Sequence, residues 1–191
     1  MLGGTFDPVH YGHLRLAESA REANGLLLDR VLFVPAGYPW RKSDRVVTQA
    51  NHRVAMLRLA IEGNRAFEIS TLELEREGPS YTVDTLEVLH RQYPGSEFFL
   101  IMGQDALADL PNWREPNRIE ALAHLAVALR PDAKRQEARE VGLERVVSIP
   151  MEPLEISASN IREKVSRGLS IRYLVPDAVR IYIADHGLYR E

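Results

Sequence analysis

The chain has 191 residues, 45% hydrophobic and 27% charged, a balance that suits a globular domain with one well-buried core. A formal net charge of -3 argues against a general binder of nucleic acid or anionic membranes, while a small anion held by local basic groups stays open. Cysteine is absent, which excludes disulfides, thiol nucleophiles and Cys-ligated zinc; the apolar runs are short and no basic-then-apolar leader opens the sequence, so a cytoplasmic setting is expected.

The first element is a turn rich in chemistry: Gly3-Gly4-Thr5-Phe6-Asp7-Pro8-Val9-His10-Tyr11-Gly12-His13-Leu14. Paired glycines let a backbone pass close to a bulky anion, because no Cβ stands in the way. His10 and His13 are three apart, so on the helix expected over 12–24 they share a face near the N-terminus. Free N–H groups and the positive dipole end there make an anion site, and the combination suits a nucleotide polyphosphate. A metal site would need further Cys, His or Glu ligands, which the segment lacks. Such a turn normally follows a strand of about five residues, and only Met1 and Leu2 precede it, so the first strand is expected to be truncated.

Strands and helices then alternate. Strands are expected at 30–34, 67–70, 97–102, 125–129 and 145–149. A helix at 49–62 carries Val54, Leu57 and Ile61 at helical spacing and stops at Gly63; another at 81–93 carries Leu86, Leu89 and Tyr93 and stops at Pro94-Gly95. A last helix at about 177–186 follows Pro176, which suits a first-turn position. The alternation predicts an α/β fold: a doubly wound, Rossmann-like parallel sheet with helices on both faces. No repeat or linker divides the chain, so 1–191 is expected to be one domain, with a small C-terminal helical part at about 155–191.

Neither a P-loop nor a G-x-G-x-x-G opens any helix. Further phosphate chemistry lies in Ile156-Ser157-Ala158-Ser159-Asn160-Ile161-Arg162, where Ser157 is a good N-cap, the following N–H groups form an anion nest and Arg162 supplies a forked cation. A capped surface helix with a solvated arginine is the plainer alternative. Gly103 and Asp105 end a strand, which suits Asp105 to ribose hydroxyls or else to a helix cap. Trp113 offers a flat indole to a flat heteroaromatic ring, or else packs in the core.

Taken together, these pieces carry a resemblance. The opening run resembles the phosphate-binding element of the His-x-Gly-His nucleotidylyltransferases, and 156–162 is similar to the I-S-S-T-x-I-R element of that superfamily, with Ala158 in place of a hydroxyl residue. Ser80-Tyr81-Thr82-Val83-Asp84-Thr85-Leu86, Met102-Gly103-Gln104-Asp105 and Trp113 resemble the bacterial type of nicotinate-nucleotide adenylyltransferase. The stretch 33–42 is similar to that family's acceptor loop, although Trp40-Arg41 stands where Pro-His is usual.

The resemblance implies Mg²⁺-dependent transfer of the adenylyl group of ATP to nicotinate mononucleotide, with the metal bridged by phosphates and held by no protein ligands. It assigns His10, His13 and Arg162 to catalysis and Gly4, Thr5, Phe6, Gly12, Gly103, Asp105, Ser157 and Ser159 to ATP. Arg41, Lys42, Tyr81, Thr82, Trp113, Arg114 and Arg130 fall to the acceptor. Partners are expected to be these small molecules, not nucleic acid or membrane; a homo-oligomer is left open. The closest rival is the same reaction on nicotinamide mononucleotide or on both acceptors, and a regulator that keeps the pocket without turnover is the rival from another class.

Overall fold

The computed structural model describes residues 1–23, 26–38, 46–128, 146–152 and 154–190. In chain order the elements are β1 (Leu2–Gly4), α1 (Tyr11–Glu22), β2 (Val31–Pro35), α2 (Ala50–Ile61), β3 (Phe67–Ile69) and α3 (Thr82–Gln92). There follow β4 (Phe99–Gly103), α4 (Gln104–Asp109), a single 3₁₀ turn at Leu110–Asn112, α5 (Pro116–Leu122), β5 (His124–Ala128) and β6 (Val146–Ile149). The last two helices are α6 (Ala158–Ser166) and α7 (Asp177–Asp185).

Among the described residues all strand pairs are parallel, in two sets ordered β1-β2-β3 and β4-β5-β6. The sets join at β1 and β4: the Met1 nitrogen donates to Phe99 O at 2.6 Å and Ile101 N donates to Met1 O at 2.9 Å. The spatial order is therefore β3-β2-β1-β4-β5-β6, and its direction reverses between β1 and β4. In open parallel sheets that point, at the strands' carboxyl ends, is where ligands bind.

The strands read as continuous apolar runs because both faces are covered. Along β2 and β4, alternate residues serve opposite cores. Val31, Phe33 and Ile101 pack with Ala17 and Ala20 of α1, Met56 and Leu57 of α2, Ile161 of α6 and Val179 and Ile183 of α7. Leu32, Val34, Leu100 and Met102 pack with Val83, Leu86 and Leu89 of α3, Leu107 of α4 and Ile119 of α5. The expected doubly wound fold with helices on both faces is thus present.

Most expected elements lie within two residues of their observed bounds. Differences have local causes. Pro176 is the N-cap of α7 and stands just before the helix, not in its first turn. Helices α4 and α5 are two turns or less and are set among Pro111 and Pro116, so neither shows an apolar period long enough to read. Gly103 is the N-cap of α4, which places Asp105 in the first turn and not at the cap. Among the described residues, no helix is long and apolar enough to cross a membrane.

Candidate active site

At the reversal point lies a cleft of about 540 Å³, within the range of small-molecule sites. Gly4 at the end of β1 and Gly103 at the end of β4 form its floor, with Thr5 and His13 on one side and Tyr81, Thr82, Trp113 and Arg114 on the other. Two sequence elements nearly a hundred residues apart thereby share one cavity.

The opening turn has a defined shape. Phe6 has φ of 50°, and its ring folds back so that a Cβ on Gly4 would lie 3.0 Å from Phe6 Cζ. Only glycine accepts that contact without displacing the ring. The Phe6 side chain is buried against Phe33 and His13, so its backbone alone is available to a ligand. From below, the buried guanidinium of Arg53 supports the turn, donating to Thr5 O at 2.9 Å and Thr48 O at 2.8 Å.

His10 is the N-cap of α1, and its carbonyl accepts from His13 N at 3.0 Å. Its ring is buried, stacks on His13 at 3.8 Å between centroids, and lies where a Cβ on Gly12 would meet Cε1 and Nδ1 at 3.0 Å. Burial lowers its pKa from 6.5 to about 4, so His10 is neutral at ordinary pH. His13 Nδ1 accepts from His10 N at 3.3 Å, which leaves Nε2–H as the donor of the neutral ring. His13 lines the cleft; His10 supports it from behind.

On the other side, Tyr81 is the N-cap of α3 and Thr82 its first residue, so the unpaired N–H groups of that first turn stand at the cleft wall. Trp113 Nε1 donates to Asp109 Oδ2 at 3.2 Å, which fixes the indole plane. The Arg114 guanidinium lies 4.7 Å from the Tyr81 ring centroid and 3.8 Å from Asp84 Oδ2. A flat aromatic wall beside a helix N-terminus accommodates a heteroaromatic ring bearing a carboxylate.

The other expected residues that are described stand apart from this cleft. Ser157 caps α6, its Oγ accepting from Asn160 N at 3.2 Å. Arg162 donates to Asp7 O at 2.7 Å and Ser159 Oγ at 3.1 Å, so α6 is fastened to the opening turn from outside. Asp7 itself is buried, and its Oδ1 accepts from Tyr189 Oη at 2.8 Å. Asp105 is exposed on α4 and does not line the cleft. Arg41, Lys42 and Arg130 lie outside the described residues.

Three contributors were not anticipated: Arg53, Asp109 and the buried Glu73, which lines the cleft beside Ser80. Only Asp109 left a signal, a carboxylate four residues before Trp113. The donors around the cleft are imidazole, hydroxyl and backbone N–H, which suit phosphate oxygens. Among the described residues no three His, Asp or Glu side chains converge as metal ligands.

The cytidylyltransferase-like family matches residues 1–164. A relative from Thermomicrobium roseum, named "Probable nicotinate-nucleotide adenylyltransferase", is 50% identical over all of this chain and 90% of its own length. One of the same name from Roseiflexus sp. is 49% identical over all of this chain and 96% of its own. Among solved structures, nicotinic acid mononucleotide adenylyltransferase of Plasmodium falciparum superposes with a TM-score of 0.80 at 21% identity, over 98% of this chain and 95% of that one. A putative nicotinate-nucleotide adenylyltransferase from Vibrio parahaemolyticus gives 0.72 at 19% identity, over 100% and 93%; both share the fold. By its match over most of its length to the first and its half-identity to members of the second, the chain belongs to the cytidylyltransferase-like family and, within it, to the nicotinate-nucleotide adenylyltransferases.

Proposed function

We propose that the chain, an ATP-dependent nucleotidyltransferase of NAD biosynthesis, moves the adenylyl group of ATP onto the phosphate of nicotinate mononucleotide, forming deamido-NAD and pyrophosphate. The single observation that carries the reading is the cleft lined from both directions, by Gly4, Thr5 and His13 on one side and by Tyr81, Thr82 and Trp113 on the other. The Plasmodium falciparum protein is known in complexes with APC and with NaAD, ligands that would fit the same two sides.

An oxygen of the acceptor phosphate attacks the α-phosphorus of ATP, the bond from that phosphorus to the β-bridging oxygen breaks, and pyrophosphate leaves with the electron pair. The attacking oxygen is already ionised at neutral pH, so positioning and charge stabilisation carry the rate. Nε2–H of His13 is the donor for charge that develops on the triphosphate, and neutral His10 holds the His13 ring through the stack and the backbone bond.

Thr5 and the backbone of Gly4 to Phe6 border the triphosphate, with Gly12 giving the His10 ring its space. Gly103 and Asp105 serve the ribose. The first turn of α3 and Arg114 take the pyridine carboxylate, Trp113 stacks on the ring, and Arg41, Lys42 and Arg130 serve the acceptor phosphate. Ser157, Ser159 and Arg162 take the leaving pyrophosphate; the bond from Arg162 to Asp7 O supports this, since it ties α6 to the phosphate-binding turn. Mg²⁺ would, when bound, neutralise negative charge on the phosphates, a role that needs few protein ligands. A cytoplasmic setting goes with this chemistry, and residues 1–191 act as one catalytic domain.

The test is turnover of purified chain with ATP and Mg²⁺, following pyrophosphate release with each acceptor in turn. Turnover with nicotinate mononucleotide far above nicotinamide mononucleotide supports the reading; the reverse preference overturns the substrate assignment.

A further inference from the structure

Glu73 lies in the turn after β3, is 6% exposed and borders the cleft next to Ser80, Tyr81 and Thr82. A carboxylate so deep needs hydrogen-bond partners or a counter-charge. Thr85 Oγ1 donates to its Oε1 at 2.6 Å, the Ser80 hydroxyl donates to it as well, and the charge of Arg76 acts on it. Burial still holds its carboxyl above the usual glutamate value, against the pull of those three groups. With its oxygens occupied in this way, Glu73 is a scaffold and not a ligand for an anionic acceptor.

Its partners are themselves joined to the acceptor side. Ser80 Oγ accepts from Gly37 N at 2.9 Å and Tyr38 N at 3.2 Å, and Ser80 N donates to Tyr38 O at 3.1 Å. A Cβ on Gly37 would lie 2.0 Å from Glu73 O, so the chain leaving β2 runs directly against the backbone of residue 73. Thr85 lies in α3, whose N-terminal residues line the cleft. One buried side chain therefore meets the segment leaving β2 through Ser80, and α3 through Thr85.

We propose that Glu73 is the positioning residue of the acceptor half of the cleft, holding the N-terminus of α3 and the Gly37-Tyr38 segment after β2 at a fixed separation before the acceptor arrives. The inference rests on the reading of this side as the site of the pyridine nucleotide. A carboxylate that merely packs would, when removed, weaken the fold and disturb both substrates alike. A positioning carboxylate would, when removed, raise KM for the acceptor and leave KM for ATP nearly unchanged.

The experiment measures steady-state kinetics of the full chain and of Glu73→Ala, Glu73→Gln and Ser80→Ala, with circular dichroism to select folded variants. Expected is a rise of roughly tenfold in acceptor KM for Glu73→Ala, with ATP KM within about twofold and kcat changed less than acceptor KM. Glu73→Gln keeps the shape and one acceptor oxygen, so it should fall between, and it carries the test if the alanine variant does not fold. Glu73→Gln combined with Ser80→Ala should be non-additive, because both act through one network. Equal rises in the two KM values, an unchanged acceptor KM, or additive effects overturn the proposal. If the unaltered chain prefers another acceptor, the substrate reading falls, yet the same selective rise is expected with that acceptor; its absence there overturns Glu73 as well.

Discussion

His10 and His13 stack with centroids 3.8 Å apart, but burial gives them separate tasks. The His10 proton binds near pH 4 in the folded chain and near 6.5 in the unfolded one, so between those values the unfolded state takes up more protons. Stability from this site is complete above pH 6.5 and drains as pH falls towards 4, by roughly 3 kcal/mol at the limit. Urea unfolding at a series of pH values should show that slope, and His10→Gln should flatten it; an equal slope in both proteins would contradict the burial argument. His13 instead carries the donor at the cleft, so His13→Ala should lower kcat by roughly 10²–10³ with a smaller change in ATP affinity. Near-normal kcat in single-turnover measurements would remove His13 from the chemistry.

At the scale of elements, α1 and the segment before α6 meet over Gly12. An added methyl there would stand 3.0 Å from the His10 ring and 3.6 Å from Ile156 O. Gly12→Ala should therefore cost about 1–3 kcal/mol by overpacking, together with a loss of kcat as the histidine pair shifts. Thermal melts and initial rates on the same preparation would show both; a full-rate variant would mean that the stack is not needed.

The same packing decides how much was legible in the sequence. Strands β2, β4 and β5 were readable because burial on both faces makes each an unbroken apolar run. The opening motif, Tyr81-Thr82 and Trp113 were readable because special residue types crowd short stretches, and the cleft gathers Gly4, Thr5, His13, Tyr81, Thr82 and Trp113. Glu73 and Arg53 were not, since each is an ordinary charge until Thr85, Ser80 or Thr5 O arrives from elsewhere in the chain. The place of Arg162, behind the turn on Asp7 O, likewise needed three dimensions.

For the molecule as a whole, β1 is the seam. It bonds β2 on one side, while Met1 bonds β4 on the other, and the two cores pack against opposite faces of the joined sheet. Neither three-stranded half has both faces of the seam without the other. Unfolding in urea should therefore be one transition, with far-ultraviolet circular dichroism and tryptophan fluorescence coincident. Separate midpoints would mean that the halves fold on their own and that the chain is not one domain.

The contact of Gly37 and Tyr38 with Ser80 sets where this enzyme can be recombined. Upstream of Tyr38 the chain is locked to the wall beside α3, so a crossover placed there would break the lock along with the loop. A crossover just beyond Tyr38 keeps the anchor and exchanges only the downstream segment. Homologous stretches beyond Tyr38 could then be traded as interchangeable parts, in evolution or in a library, without the scaffold having to be rebuilt.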